Sequence, residues 1–591
     1  PLGNLLSKTY PDGTTDKYTY DRISRMLSAV NKDASVTFTY DKANRLLTET
    51  LNGKTTSYSY HVAAGKRTLT YPSGMKVEEH LNARDLIASI LQNGNEVVTM
   101  EYNVAGQKTK QTYANGITTD YGYNENGWLS AIKDDHKVLS LAMSYDAIGN
   151  MTKRADNLDA SRTESYGYDV ISQLTSFTRG KTVNKTYQFD LLGNRVKTVE
   201  NGVVTNYTSN NVNAYTAISG GMSFTPSYDG NGNMLNDDKH QYVYDYNSKM
   251  ASVGDKSVTY KYDALGRRIA KNNILFYYVG DQMVEESTDG AVTSYLYGNN
   301  IDEALQMSKK DEAYYYHTNH LGSTMGLTNK EGKIVEKVEY DVYGMPTFLN
   351  ANGEILEVSS IGNNILFTGR EYNAETGDYY FRARSMHPMV GRFMQKDPLM
   401  YVDGMNDLIF CLNNSISNID PLGFAIGKYL FIGGKYVYQS VKISRTSTTL
   451  KGTRYTISPK TRPIFDQKLK EAKEKEVQKY LAAIKGEEKK QKESVNKGLN
   501  YLAGHGLPTF LLMEHDNIAN GLYDLYEKSK ELGKKIGDKY NKYDQWGKDT
   551  YRYSANWWFR LFHGGNDYDG CNGFFDPDDV ADFLWLLTAP I

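Results

Sequence analysis

Two aspartates in this sequence share one local setting. One opens Asp397-Pro398-Leu399-Met400-Tyr401, and the other opens Asp420-Pro421-Leu422-Gly423-Phe424. Hydrolysis of a peptide bond by carboxylates needs two of them in different states. One must be ionised to activate a water; the other must be protonated to polarise the carbonyl. Carboxylates held close together cannot both ionise, so their pKa values separate and the two roles follow. Asp397 and Asp420 lie 23 residues apart, within the reach of a loop. Each proline fixes the backbone after its aspartate, and Gly423 permits a sharp turn. The plain alternative is that Asp-Pro marks a turn and nothing more.

Other candidates are weaker. His317 and His320 are three apart with no acidic or thiol ligand beside them, which favours a structural role over metal binding. His515 is flanked by Glu514 and Asp516; it is a candidate general base or a histidine on a helix surface. The loop from Asp567 to Asp579 is rich in oxygen ligands. The glycine and bidentate glutamate of a calcium loop are misplaced in it, so an acidic turn capping a final helix at Asp576 or Asp578 is the better reading. No metal and no cofactor is implied. Cys411 and Cys571 do not make a disulfide framework. A net charge of −2 gives no argument for nucleic acid or a membrane surface. No apolar run approaches the ~18 residues that cross a bilayer. The chain opens at Pro1 in mid-pattern, which predicts a fragment of a longer protein whose targeting region lies elsewhere.

The elements that carry the aspartates follow a long repeat. Its unit is aromatic, any residue, Tyr, Asp or Asn, then a few residues to Gly, Asn or Arg. It reads Tyr18-Thr19-Tyr20-Asp21, Tyr121-Gly122-Tyr123-Asn124, Tyr166-Gly167-Tyr168-Asp169 and Tyr260-Lys261-Tyr262-Asp263, among others. From Tyr20 to Phe189 successive copies lie about 20 to 23 residues apart, a period that indicates a repeat architecture. Alternating tyrosines favour strands with an apolar face and a polar tip. The acid can turn the chain through its side chain, and Asn-Gly pairs such as Asn52-Gly53 and Asn115-Gly116 supply positive φ. Strand, turn and return strand fill one period. A lone hairpin buries no core, but stacked hairpins form one continuous sheet. The tyrosines are read as packing residues, with carbohydrate contact by exposed rings as the alternative. One acid per period is too sparse for calcium.

The stretch from Leu366 to Phe424 closely resembles the Rhs-associated core that closes the shell of Rhs/YD-repeat proteins, among them bacterial polymorphic toxins and the C components of insecticidal toxin complexes. The family form is Asp-Pro-x-Gly-Leu, eighteen residues, then a second Asp-Pro-x-Gly-Leu. Here Val402 to Ile419 makes the same interval. The first copy lacks the glycine, and His387-Pro388 stands where the family has Asp-Pro. Tyr314 to Thr324, Glu339 to Gly344, Phe367 to Tyr372 and Arg392-Phe393 extend the likeness over residues 297–424. The resemblance implies a mainly β fold, with hairpins stacked into a spiralling hollow cocoon and a smaller α-rich or α+β domain after it. Residues 1–296 would form the wall, 297–424 the core and 425–591 a variable effector. It implies self-cleavage between Phe424 and Ala425 by Asp397 and Asp420, with Pro398, Pro421 and Gly423 as supporting motif. Arg392 matches a family arginine that supports the reaction by lowering or orienting one carboxylate. It also implies a secreted or cell-surface protein, export or delivery machinery and a cognate immunity protein.

After Phe424 the composition changes. Residues 425–500 hold 18 Lys/Arg against 7 Asp/Glu, and residues 501–591 hold 9 against 14, so a basic part gives way to an acidic one. Strand-like alternation at 435–443 is followed by helical patterns over 465–495 and about 508–535. No nuclease, deaminase or ADP-ribosyltransferase motif stands out. Two other readings remain open at this point: a cell-surface protein binding glycan or wall polymer with an inert tail, and a packaging scaffold with a degraded cargo.

Overall fold

A computed structural model describes residues 4–254, 256–399 and 405–424, with the backbone of two paired strands beyond them, Lys428–Ile432 and Lys435–Gln439. Ala425, His515, Cys571 and the acidic loop at 567–579 lie outside the described residues.

Each hairpin follows from its own residues. In the strand Thr15–Tyr20, Asp16 and Tyr18 turn inward and alternate with exposed neighbours. Asp21 then closes the turn. Its Oδ1 accepts the N–H groups of Ile23 (3.0 Å) and Arg25 (2.9 Å), while Ser24 takes a left-handed φ of 64°. The same pair of bonds recurs at Asp146, Asp169 and Asp190. The repeated acid is a turn former. The tyrosine before it has a second function. A register shift marks it at Thr39/Tyr40, Ser144/Tyr145 and Gly167/Tyr168, a bulge that re-aims the ring. Its hydroxyl donates to the first carbonyl after the preceding turn: Tyr40 to Met26 at 2.9 Å, Tyr60 to Leu46 at 2.9 Å, Tyr168 to Met151 at 2.7 Å. These repeats are each stapled to the one before; where the position is Phe189 there is no hydroxyl to do so.

Strands pair antiparallel with their neighbours in sequence. A sheet of 21 strands runs from Ser7–Thr9 to Tyr215–Gly220, and one of 13 runs from Tyr242–Tyr244 to Ile355–Leu356. Strand Ala291–Tyr297 pairs on both sides, so the sheet passes unbroken from the repeats into residues 297–424. The second sheet runs alongside the first. Tyr18 Oη donates to Ala264 O (2.8 Å), Tyr71 Oη to Tyr295 O (3.1 Å) and Tyr113 Oη to Tyr316 O (2.7 Å), across 246, 224 and 203 residues. Similar offsets at successive points are what a ribbon makes when it winds back beside itself. The fold is therefore a spiral of hairpins, with apolar residues of both rounds packed between them, including Leu69, Ile90, Val98, Val284, Leu296 and Tyr315. Winding also covers strand edges that would otherwise aggregate.

A four-stranded sheet lies in the chain after these: Glu371–Asn373, Asp378–Phe381, Arg384–His387 and Arg392–Phe393. Phe381, Phe393 and Phe410 cluster edge to face. They join Leu174 and Phe177 of the repeat wall in one core. This packing fixes the strand from which Arg384 projects.

Candidate functional site

Strand Asp378–Phe381 turns back at Arg382, whose φ is 57°, and returns as Arg384–His387. Arg384 leaves the start of that strand and lies 3.5 Å over the Phe393 ring. Its Nη2 is 2.8 Å from Asp397 Oδ2 and 3.1 Å from Asp420 Oδ2. Both carboxylate oxygens touch one nitrogen, so their separation cannot exceed the sum of those distances. The two motifs therefore meet. Asp397 is 7% exposed and Asp420 1%, so both carboxyl groups are buried against the guanidinium, where its charge acts strongly. The other arms of the guanidinium are also used: Nη1 donates to Asp407 O (3.0 Å) and Nε to Gly423 O (2.7 Å).

The peptide ahead of Phe424 is pinned. Gly423 N–H donates to Asp420 O at 3.2 Å, closing a turn. Phe424 N–H donates to Asp420 Oδ1 at 3.2 Å. Ala383 N–H donates to Leu422 O at 3.1 Å, and Arg382 Nη1 donates to Pro421 O. Gly423 has φ 66°, and a Cβ there would lie 2.3 Å from Phe381 O, so glycine is required by conformation and by space. On the other side, Asp397 N–H donates to Asp407 O (3.0 Å) and Asp397 Oδ1 accepts from Leu399 N–H (2.7 Å).

Two further carboxyls flank the site. Burial pushes the Asp407 carboxyl up, against the opposing charges of Lys396 and Arg384. Asp302 holds Arg382 at 2.6 Å and Arg370 at 2.9 Å. Burial raises the Asp302 carboxyl, but those two guanidiniums hold it below the usual carboxylate range. Chemically, the arrangement offers two paired carboxyl groups beside an immobilised peptide, with a guanidinium that fixes the direction of both. The same contacts cross-link the segments that carry the two motifs.

Arg392 lies elsewhere. Its Nη1 and Nη2 donate to Asn213 O and Asn194 Oδ1, both at 2.6 Å, and it stacks 4.1 Å over Tyr215. The arginine between the carboxylates is Arg384, which sequence reasoning missed. Its one signal was the pair Arg382 and Arg384 two apart, followed by Met386 and Phe393 in the pattern of a buried hairpin. His387 Nε2 lies 3.2 Å from Asp237 Oδ2, away from the site. His317 bonds Thr328 Oγ1 (3.0 Å), and His320 Nε2 bonds Ile416 O (2.9 Å). Among the described residues, no three His, Cys, Asp or Glu side chains are grouped to hold a metal. Of the tyrosines among them, Tyr246 alone is exposed, and the others are half-buried or buried. No helix among them is long and apolar enough to cross a membrane.

The teneurin YD-shell family matches residues 130–409, and the RHS repeat family matches residues 102–136. A tRNA3(Ser)-specific nuclease WapA of Bacillus spizizenii is 29% identical over 393 residues, 63% of this chain and 16% of that protein. A toxin subunit, YenC1 of Yersinia entomophaga, is 24% identical over 460 residues, 61% of this chain and 46% of that protein. The chain thus spans less than half the length of either relative. Among solved structures, a Tc holotoxin pore of Photorhabdus luminescens has the same shell fold, with a TM-score of 0.57 and 17% identity over 74% of this chain and 27% of that one.

Proposed function

The chain belongs to the Rhs family of YD-repeat shell proteins, and we propose that its shell carries residues 425–591 as an effector, released by self-cleavage after Phe424. The carrying observation is the Arg384 nitrogen shared by Asp397 and Asp420 beside the pinned Phe424 peptide. One aspartate would activate a water against the Phe424 carbonyl, and the other would protonate the departing amine. Arg384 would hold both in register. Relatives that include a nuclease and a toxin subunit support a toxic passenger, aimed at a competing bacterium or a host cell. Such a passenger calls for a cognate immunity protein in the producer and for export or delivery machinery.

The test is a denaturing gel of the purified full-length chain. Two fragments, residues 1–424 and 425–591, are expected, and Asp420→Asn should leave the chain whole. Only intact wild-type chain would overturn the cleavage. Expression of residues 425–591 alone, with and without the neighbouring gene product as immunity candidate, reads the second half of the proposal. Growth arrest is expected, and harmless expression would leave the shell without a toxic passenger.

A further inference from the structure

Between the two aspartates, residues 405–418 run along one row of repeat turns. The contacts keep an order. Asn213 Nδ2 donates to Met405 O at 3.1 Å. Asn406 Nδ2 donates to Asn194 Oδ1 at 2.7 Å and Leu192 O at 3.0 Å. Asn413 Nδ2 donates to Gln173 Oε1 and Gly193 O, both at 2.9 Å. Asn414 Nδ2 donates to Asn150 Oδ1 at 3.1 Å, and Met151 N–H donates to Ser417 Oγ at 3.2 Å. As the segment advances, the repeats it touches step backwards.

Asn150, Gln173 and Asn194 hold the same place in three successive repeats, four residues after the aspartate that opens the turn. In each, the amide nitrogen donates to that aspartate's Oδ2 at 2.9 Å. This fixes the amide so that its oxygen faces outward, and that oxygen accepts from Asn414, Asn413 and Asn406 in turn. An amide can do both at neutral pH, because it carries a donor and an acceptor on one planar group, whereas an ionised carboxylate only accepts. Arg25 and Arg45 stand at the same place in earlier repeats and bond the same aspartate oxygen, but a guanidinium offers no acceptor. The held segment is strained. Cys411, Leu412 and Asn413 take φ of 52°, 48° and 59° in succession, a left-handed run that non-glycine residues resist. Such a path persists only where its surroundings over-determine it.

We propose that Asn150, Gln173 and Asn194 are positioning residues. Their amides hold residues 405–418 in this left-handed path, and so set Asp420 against Arg384 and Asp397. The inference rests on the self-cleavage reading for its effect on rate, whereas the holding itself is read separately.

The experiment is hydrogen exchange on the full-length chain, read by mass spectrometry, beside the time course of its splitting. Gln173→Met removes both hydrogen bonds. Gln173→Glu places a second carboxylate against Asp169, which repels while ionised and can donate once protonated. With two bonds gone, residues 405–418 should exchange at least ~10-fold faster in Gln173→Met at both pH 7 and pH 4.5. Gln173→Glu should be loose at pH 7 and return toward wild type at pH 4.5, a recovery that also shows the variant to be folded. Wall strands from Met151–Asp156 to Val203–Ser209 should exchange as in wild type, and splitting should slow wherever the segment is loose. Unchanged exchange of 405–418, loosening of the wall together with it, or wild-type splitting from a loosened segment would each overturn the proposal. If the wild type never splits but the exchange pattern holds, the holding role stands and the self-cleavage reading falls.

Discussion

A guanidinium shared by two carboxylates acts through geometry as much as charge. Arg384 spends Nε on Gly423 O, Nη1 on Asp407 O and Nη2 on Asp397 and Asp420. Those four partners come from three separate stretches of chain, and a planar fork suits them where a point charge does not. Arg384→Lys therefore keeps the positive charge and loses the fork. Two charge-assisted hydrogen bonds at least would go, each of ~1.5–3 kcal/mol. The proposed splitting after Phe424 should slow by at least about 100-fold, while the folded chain survives because the buried carboxyl groups keep a cation beside them. The time course on a gel decides it. Splitting at the wild-type rate would reduce Arg384 to a cross-link.

At the scale of elements, legibility divides by range. The hairpins could be read because each turn repeats its own chemistry: an acid, a positive-φ residue, and a strand with alternate faces. The staple from Tyr40 to Met26 O could not, because its acceptor is a backbone carbonyl that carries no residue signature. Asp397 and Asp420 announced themselves by motif and spacing. Arg384 did not, because its partners are chosen by two bends of a small sheet that bring the strand Arg384–His387 against residues 420–424. Arg392 had the expected spacing, yet Asn194, Asn213 and Tyr215 occupy it. The left-handed run was also hidden, since Cys-Leu-Asn does not advertise positive φ as Asn-Gly does. That run allows a direct check. Leu412 has φ 48° and is 45% exposed, so glycine there relieves the backbone and sacrifices little burial. The relief of ~1–2 kcal/mol is partly offset by the greater freedom of glycine in the unfolded chain. Leu412→Gly should make residues 405–418 more protected from exchange by roughly 0.5–1 kcal/mol. Less protection than wild type would mean that the path is not strained at Leu412.

At the scale of the molecule, polar groups buried between rounds tie the spiral together. Arg267 joins Asp263 of its own turn to Glu49 of the earlier round. His320 does a comparable task between wall, core and the 405–418 segment. Its Nε2 lies 2.9 Å from Ile416 O. Arg154 and Glu164 of the wall, themselves paired at 2.6 Å, line the same small cavity with Tyr340 and Asp341. Burial, and then the charge of Arg154, pushes the imidazole down to about 4, while the Ile416 carbonyl and Glu164 oppose the shift. The folded chain thus needs this histidine neutral. In the unfolded chain it takes up its proton near 6.5. Between those values the unfolded state binds more protons, so stability falls with falling pH. The contribution is whole above pH 6.5 and is lost on the way to pH 4, to the extent of ~3 kcal/mol. His320→Gln retains a donor for Ile416 O and cannot titrate. Between pH 7 and pH 4 its melting temperature should therefore fall less than that of the wild type. Parallel curves for the two proteins would show that the acid sensitivity of the shell arises at other groups, and that the joint between wall and segment does not respond to pH through His320.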